Sequence, residues 1–459
     1  MQTIPTPKAP RLLQASQWIL DPLGYMKANF KKYGDIFTAH VSWSEPEPVV
    51  MVNEPKAIQF MLTHDTGKEF SAPGELNEIL EPLVGRQNLF LLSGQQHRRR
   101  RQLVMPPFHG ENLKGYAQTI RQITQQVLAE LPGNEPWDVR EAMQKITMRV
   151  ILQVVFGLHQ GDRYEKLERL LGKRMDMTGT PLASAIVFLP WLQKNYGPWS
   201  PGGLIRKLAE ATDELLFAEI QERRSNPDPN RRDILSLLLA TKDEEGNGLS
   251  NQDLRDELMT LLVAGHETTA TTLAWAMYWI QLLPDIKQKV LAELNGISDL
   301  TEPSNFLNLP YLTAVCNETL RIYPVAMLTF PRRVETPLEL VGYRLEPGTI
   351  VIGCIYLIHQ RQDLYPQPQQ FRPERFLEQQ FSPYEFMPFG GGVRRCIGSA
   401  LAQYEMKIVL GTILSQVDLA LVNKQSVQPG RRGVTLGQKS AILMRKVGTR
   451  SASRTLLEV

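Results

Sequence analysis

The residues best equipped for chemistry surround one cysteine. In Phe389-Gly390-Gly391-Gly392-Val393-Arg394-Arg395-Cys396-Ile397-Gly398, three successive glycines lead to a thiol. Glycine allows a tight backbone path and the close approach of a bulky planar group. A helix is expected to begin just after Cys396, so backbone N–H groups and the helix dipole would favour a thiolate, with Arg394 adding positive charge. Such a sulfur can bind a metal or act as a nucleophile. The plain alternative is a buried structural cysteine. A phosphate loop is disfavoured because no Gly-Lys-Ser/Thr follows the glycines, and a cysteine hydrolase would need a positioned histidine that the spacing does not identify.

Three further clusters stand out. Ala264-Gly265-His266-Glu267-Thr268-Thr269 lies inside the longest helix signal, which starts at Ser250 with Asp253 in a capping-box position and stops before Pro284. That is about 33 residues, roughly 50 Å of helix, enough to cross a domain. The cluster interrupts it with poor helix formers, which marks a candidate site. A zinc-protease reading fails because Ala270 stands where a second histidine would be required. Glu318 and Arg321 are three apart on a helix predicted from Pro310 to Tyr323, so they can pair; alone they would read as a surface pair of little worth. Gly94–Arg101 ends in His97 and four arginines, with His97 and Arg101 on one helix face. Without interleaved aromatics, this is a weak case for nucleic acid and reads first as a solvated face.

The elements that must hold these clusters are mainly helical, with short strands. Glu47–Val52 reads as a strand and Pro55–Leu62 as a helix. Helices are expected over Asn112–Leu131 and over Val139–Phe156, and a last long one from Cys396 to about Val417. Leu338–Leu340, Tyr343–Leu345 and Ile350–Leu357 read as strands. Residues 178–203 show no clean period and suit either a mobile lid, a surface meeting a bilayer, or an ordered loop. Residues 448–459 are expected to be a disordered tail. With 42% hydrophobic residues and no linker, repeat or composition break, residues 1–459 read as a single domain with a smaller strand-bearing lobe. Lys+Arg and Asp+Glu stand at 51 and 48, so no nucleic-acid partner is expected. No early apolar run is long enough for a signal peptide or transmembrane anchor, and three scattered cysteines suit neither disulfides nor zinc; a soluble, cytoplasmic protein is expected.

The cysteine segment resembles the haem-binding signature of the cytochrome P-450 family, Phe-x-x-Gly-x-Arg-x-Cys-x-Gly, at every fixed position: Phe389, Gly392, Arg394, Cys396 and Gly398. Glu318 and Arg321 match the family's Glu-x-x-Arg motif. Phe371-Arg372-Pro373-Glu374-Arg375-Phe376 resembles its Pro-Glu-Arg-Phe element, so Arg375 is expected to join that pair in a network bracing the cysteine loop. Ala264–Thr269 is similar to the pattern in which acid and alcohol, here Glu267 and Thr268, relay protons to dioxygen, while Gly265 leaves room for dioxygen and substrate. His97 and Arg101 match a propionate-binding pair, with His97 where many relatives have Trp, and Arg332 matches another such position.

The resemblance implies a mainly α fold with a small β-rich lobe and a long central helix crossing haem b (heme b, iron protoporphyrin IX). It makes Cys396 the iron ligand, whose thiolate promotes O–O cleavage. His97, Arg101, Arg332, Arg394, Phe389, Gly398 and Ala264 become cofactor contacts. Leu261, Ala326, Met327, Leu328, Val434 and Thr435 become substrate contacts, mostly apolar and suited to a lipophilic small molecule. The implied activity is a monooxygenase that uses O2 and NAD(P)H-derived electrons and hydroxylates a long-chain fatty acid. The chain ends too soon after Cys396 for a fused reductase, so ferredoxin and ferredoxin reductase are the expected partners. Alternatives are a terpenoid or alkane hydroxylase, a haem-thiolate isomerase without external electrons, which often lacks the acid–alcohol pair, and a haem-dependent sensor or carrier that would consume no NADPH.

Overall fold

The computed structural model describes residues 3–42, 47–179, 189–422 and 426–450. At its centre runs the helix Asn251–Leu282. Ser250 and Asp253 close a reciprocal capping box at its start, and Pro284 opens the next helix at once. The helix is continuous through Ala264–Thr269, so the expected interruption is absent. Packing supplies what propensity lacks: residues Leu254–Leu262 and Thr269–Tyr278 are buried on either side of the cluster. It lies against the helices Val139–Val150 and Ser399–Gln416.

Val139–Val150 continues as a π-helical turn, Ile151–Val155, before Gly157. A Cβ on Gly265 would meet Ile151 Cδ1 of that turn at 3.4 Å, an ordinary van der Waals contact.

The smaller lobe holds a five-stranded sheet in the order Ile36–Ala39, Val49–Val52, Ile350–Gly353, Arg332–Val334, Phe70–Ser71. One pair is parallel, with Val50 opposite Val351; the other pairs are antiparallel. The strand expected over Ile350–Leu357 ends at Gly353 and turns into a short helix, Ile355–His359, buried throughout. Continuous burial removes the alternation that separates strand from helix. Within the segment 178–203, helices cover Pro190–Gln193 and Pro201–Ser225, while 180–188 lie outside the described residues, so the lid reading falls there. Gly448 and Thr449, expected in a tail, belong to the strand Leu443–Thr449 paired with Val417–Leu421; residues 451–459 lie outside the described residues. Among the described residues no helix is long and apolar enough to cross a membrane.

Two buried acids predict a pH-dependent stability. Burial pushes the Glu405 carboxyl up to about 8, and its Oε1 has no hydrogen-bond partner among the described residues. Burial likewise raises Glu257 to about 8, against Arg100 and the Leu89 N–H. Both pKa values exceed the ordinary 4.5, so between the two values the folded chain binds more protons than the unfolded chain. Stability should therefore fall as pH rises across that window. Glu405→Gln should melt several degrees above the parent at about pH 8 and show a much smaller gain near pH 5. Equal gains at both pH values would contradict a neutral buried Glu405.

Candidate haem site

The cysteine loop is held from three sides. Gly390 and Gly392 have φ of 64° and 65°, which suits glycine, while a Cβ on Gly392 would strike Asp65 Oδ2 at 2.1 Å. The glycines thus let the loop close onto protein: Asp65 Oδ2 accepts from Val393 N at 3.1 Å and from Arg332 Nε at 2.8 Å. Cys396 N donates to Phe389 O at 3.0 Å, and the helix Ser399–Gln416 begins after Gly398. The Cys396 side chain is accessible to solvent-sized probes yet surrounded by protein, as fits a sulfur lining an interior hollow. Burial pushes its thiol pKa up, outweighing the Gly398 N–H, Arg101 and Arg395. The helix start alone therefore does not yield a thiolate; a coordinated cation is what deprotonates such a thiol. Cys316 and Cys354 are buried, each pushed up to about 12, and are inert by comparison.

Beside the sulfur, positive charge is in surplus. His97 is buried, and its pKa falls to about 3 through burial and then through Arg394, Arg101 and Arg332. Asp65, a carboxylate beside this group, is already bound to Arg332 at 2.7 Å. Arg101 Nη1 donates to Arg395 O at 2.7 Å, beside the cysteine. Arg394, expected as a cofactor contact, directs its guanidinium to the carbonyls of Ala72, Leu89, Phe90 and Leu92 and so braces the 72–92 segment. An interior with several cations, few anions and an accessible sulfur suits an anionic, metal-bearing cofactor. Among the described residues no three His, Cys, Asp or Glu side chains form a metal cluster.

On the central helix Val263, Ala264, Gly265, Glu267 and Thr268 are only half-buried between buried flanks. Thr268 Oγ1 donates to Ala264 O at 2.5 Å. Glu267 does not join it: its carboxylate takes Arg140 Nη2 at 2.7 Å and Gln144 Nε2 at 2.8 Å, both from the helix Val139–Val150. His266 bonds Thr147 Oγ1 at 2.7 Å, and burial lowers its pKa to about 4, which leaves it neutral and structural.

The Glu318–Arg321–Arg375 network forms as expected. Arg321 Nε and Nη2 grip Glu318 at 2.7 and 2.8 Å, Arg375 Nε adds a contact at 3.2 Å, and Arg372 N donates at 2.8 Å. Both guanidinium groups lie over the Tyr365 ring.

The residues expected at the substrate diverge. Leu261 is nearly buried, Ala326 exposed, and Leu328 half-buried. Met327 is 3% exposed and packs in a core with Trp18, Tyr25 and Phe37, so it has no free face for substrate. Val434 is exposed at the turn between Pro429–Arg432 and Thr435–Gln438, and Thr435 Oγ1 donates to Arg432 O at 2.8 Å. Two members of the arginine run are paired: Arg100 binds Asp253, Glu257 and Gln87 O, and Arg99 meets Glu245. Asp65, Arg140 and Gln144 were not singled out in the sequence, because their partners lie far along the chain.

The family model described as "Cytochrome P450" matches residues 5–445. A protein named cytochrome P450 135B1 in Mycobacterium tuberculosis is 35% identical over 453 residues, covering 98% of this chain and 93% of its own. One named cytochrome P450 138 in the same organism is 32% identical over 450 residues, covering 96% of each chain. The solved structure of retinoic acid-bound cyanobacterial CYP120A1 is similar in fold, with a TM-score of 0.82 at 24% identity over 98% of this chain and all of that one. This chain belongs to the cytochrome P450 family and is a haem monooxygenase. Bound haem b supplies dioxygen activation and oxygen insertion, with electrons arriving from NAD(P)H through redox partners.

Proposed function

We propose that this monooxygenase hydroxylates a long-chain fatty acid and takes its electrons from ferredoxin and ferredoxin reductase, the whole chain acting as one catalytic domain. The observation that carries the reading is the half-open stretch Val263–Thr268 of an otherwise buried central helix, with apolar Leu261 and Ala264 beside it. An apolar wall with few polar groups selects a lipophilic molecule, oriented by a single polar end.

In this reading Cys396 binds the iron, His97 and Arg101 face the propionates, and Arg332 adds charge while tied to Asp65. Thr268 holds a proton at Oγ1, one turn from the Ala264 carbonyl. Glu267 would take up protons from solvent and pass them on once its carboxylate turns away from Arg140 and Gln144. An isomerase has no use for this relay, so the acid–alcohol pair favours the monooxygenase.

The test is titration of the haem-loaded enzyme with saturated fatty acids, terpenoids, alkanes and retinoic acid, followed by turnover with ferredoxin, its reductase and NADPH. Fatty acids should shift the haem spectrum and give hydroxylated product. A response to terpenoids alone would refute the substrate, and product formed without NADPH consumption would refute the electron requirement. Thr268→Ala should keep its haem and still consume NADPH, but release hydrogen peroxide. Product per electron pair should fall by about a hundredfold, the low end for a lost proton-transfer group. Tight coupling in that variant would remove Thr268 from the relay.

A further inference from the structure

His359 ends the short helix Ile355–His359 and is fully buried. Its ring touches two peptide groups from opposite sides. Met387 N donates to Nε2 at 3.0 Å, and Nδ1 lies 3.2 Å from Arg321 O. A backbone N–H can only donate, so Nε2 must be the bare nitrogen and Nδ1 must carry the proton toward the Arg321 carbonyl. The contact is reciprocal, because Arg321 Nη1 donates to His359 O at 2.7 Å. Phe386 stacks on the ring at 5.6 Å and 28°, and Tyr365 meets it edge-on.

Each end of this bridge matters. Arg321 is the centre of the Glu318 network. Met387 opens the cysteine loop: its carbonyl accepts from Gly390 N, and two residues on Phe389 O accepts from Cys396 N, each at 3.0 Å. Among the described residues Glu318, Arg321 and Arg375 make no hydrogen bond to residues 387–396; the imidazole supplies the join.

We propose that His359 is a positioning residue that transmits the register of the Glu318–Arg321–Arg375 network to the Cys396 loop by reading the Met387 N–H through Nε2. Its role is directional hydrogen bonding in one tautomer, and the ring's packing alone does not fulfil it. An unmet buried N–H is costly, so losing this acceptor lets the loop's first peptide rotate and frees the sulfur from one position.

Three variants separate the two nitrogens. His359→Gln places an amide oxygen near the reach of Nε2 and keeps an acceptor for Met387. His359→Asn reaches only as far as Nδ1 and leaves Met387 bare. His359→Phe keeps the stacking and loses both bonds. Hydrogen exchange of the peptide containing Met387, together with the ferrous–CO spectrum, gives the readout, with far-ultraviolet circular dichroism as the check on folding. In the Asn and Phe variants the Met387 amide should exchange about tenfold faster than in the parent, and part of the CO band should leave the thiolate-type position. The Gln variant should keep both properties.

A Phe variant that matches the parent would reduce His359 to packing and overturn the proposal, as would a folded Gln variant that behaves like Asn. The parent protein supplies a test independent of any variant: a Met387 amide no better protected than exposed loop amides would also overturn it.

Discussion

Cys396→Ser should abolish the thiolate-type ferrous–CO spectrum and all turnover while leaving the protein folded. Serine differs from cysteine by one atom, but its hydroxyl does not ionise to a soft anionic ligand, so the electron donation that favours O–O cleavage is lost. The loop should survive the change because its anchors lie elsewhere: Val393 on Asp65, Cys396 N on Phe389 O, and Met387 N on His359. The cysteine side chain itself faces accessible space, so the metal-free chain should change in stability by less than about 1 kcal/mol. Circular dichroism melts of the apoprotein and CO-difference spectra of the loaded protein check the two halves separately. A serine variant with the parent's CO band would remove Cys396 from the iron, whereas one that fails to fold would show that the sulfur is needed for packing.

What could be read before folding was chemistry held in short windows. The capping box at Ser250 and the i, i+3 pair Glu318–Arg321 each carry their geometry in local spacing, and each appears as expected. Contacts made only by folding were out of reach. Asp65 meets Arg332 across 267 residues, Arg140 meets Glu267 across 127, and His359 finds Arg321 and Met387 at separations of 38 and 28. No periodicity encodes such pairs. Side-chain direction was the second blind spot. Glu267 and Thr268 are adjacent in sequence, yet about 100° apart around a helix, so one points at the neighbouring helix Val139–Val150 while the other bonds back along its own. Met327 and Leu328 differ in the same way, with only the former sealed in the core.

The second large effect should follow from Glu318. Its carboxylate is 0% exposed and, among the described residues, is the sole anion bonded to two buried guanidinium groups, which it meets at 2.7, 2.8 and 3.2 Å. Glu318→Ala would strand both cations away from water. Breaking a buried pair from one side costs about 3–5 kcal/mol, because the remaining charge is neither solvated nor matched. Against a typical total of about 5–15 kcal/mol, that consumes a large share of the stability. The expected result is low recovery of haem-loaded protein and a denaturant midpoint well below the parent's. Arg321→Lys should fail nearly as badly despite keeping its charge. An ammonium cannot span both carboxylate oxygens while also reaching His359 O and Gln370 O, as the guanidinium does. The control is Glu210→Ala, which removes the exposed Arg206–Glu210 pair and should cost under about 0.5 kcal/mol. A Glu318→Ala protein with normal haem content and an unchanged midpoint would mean that the network is ornamental, and His359 would then have nothing rigid to transmit to the loop.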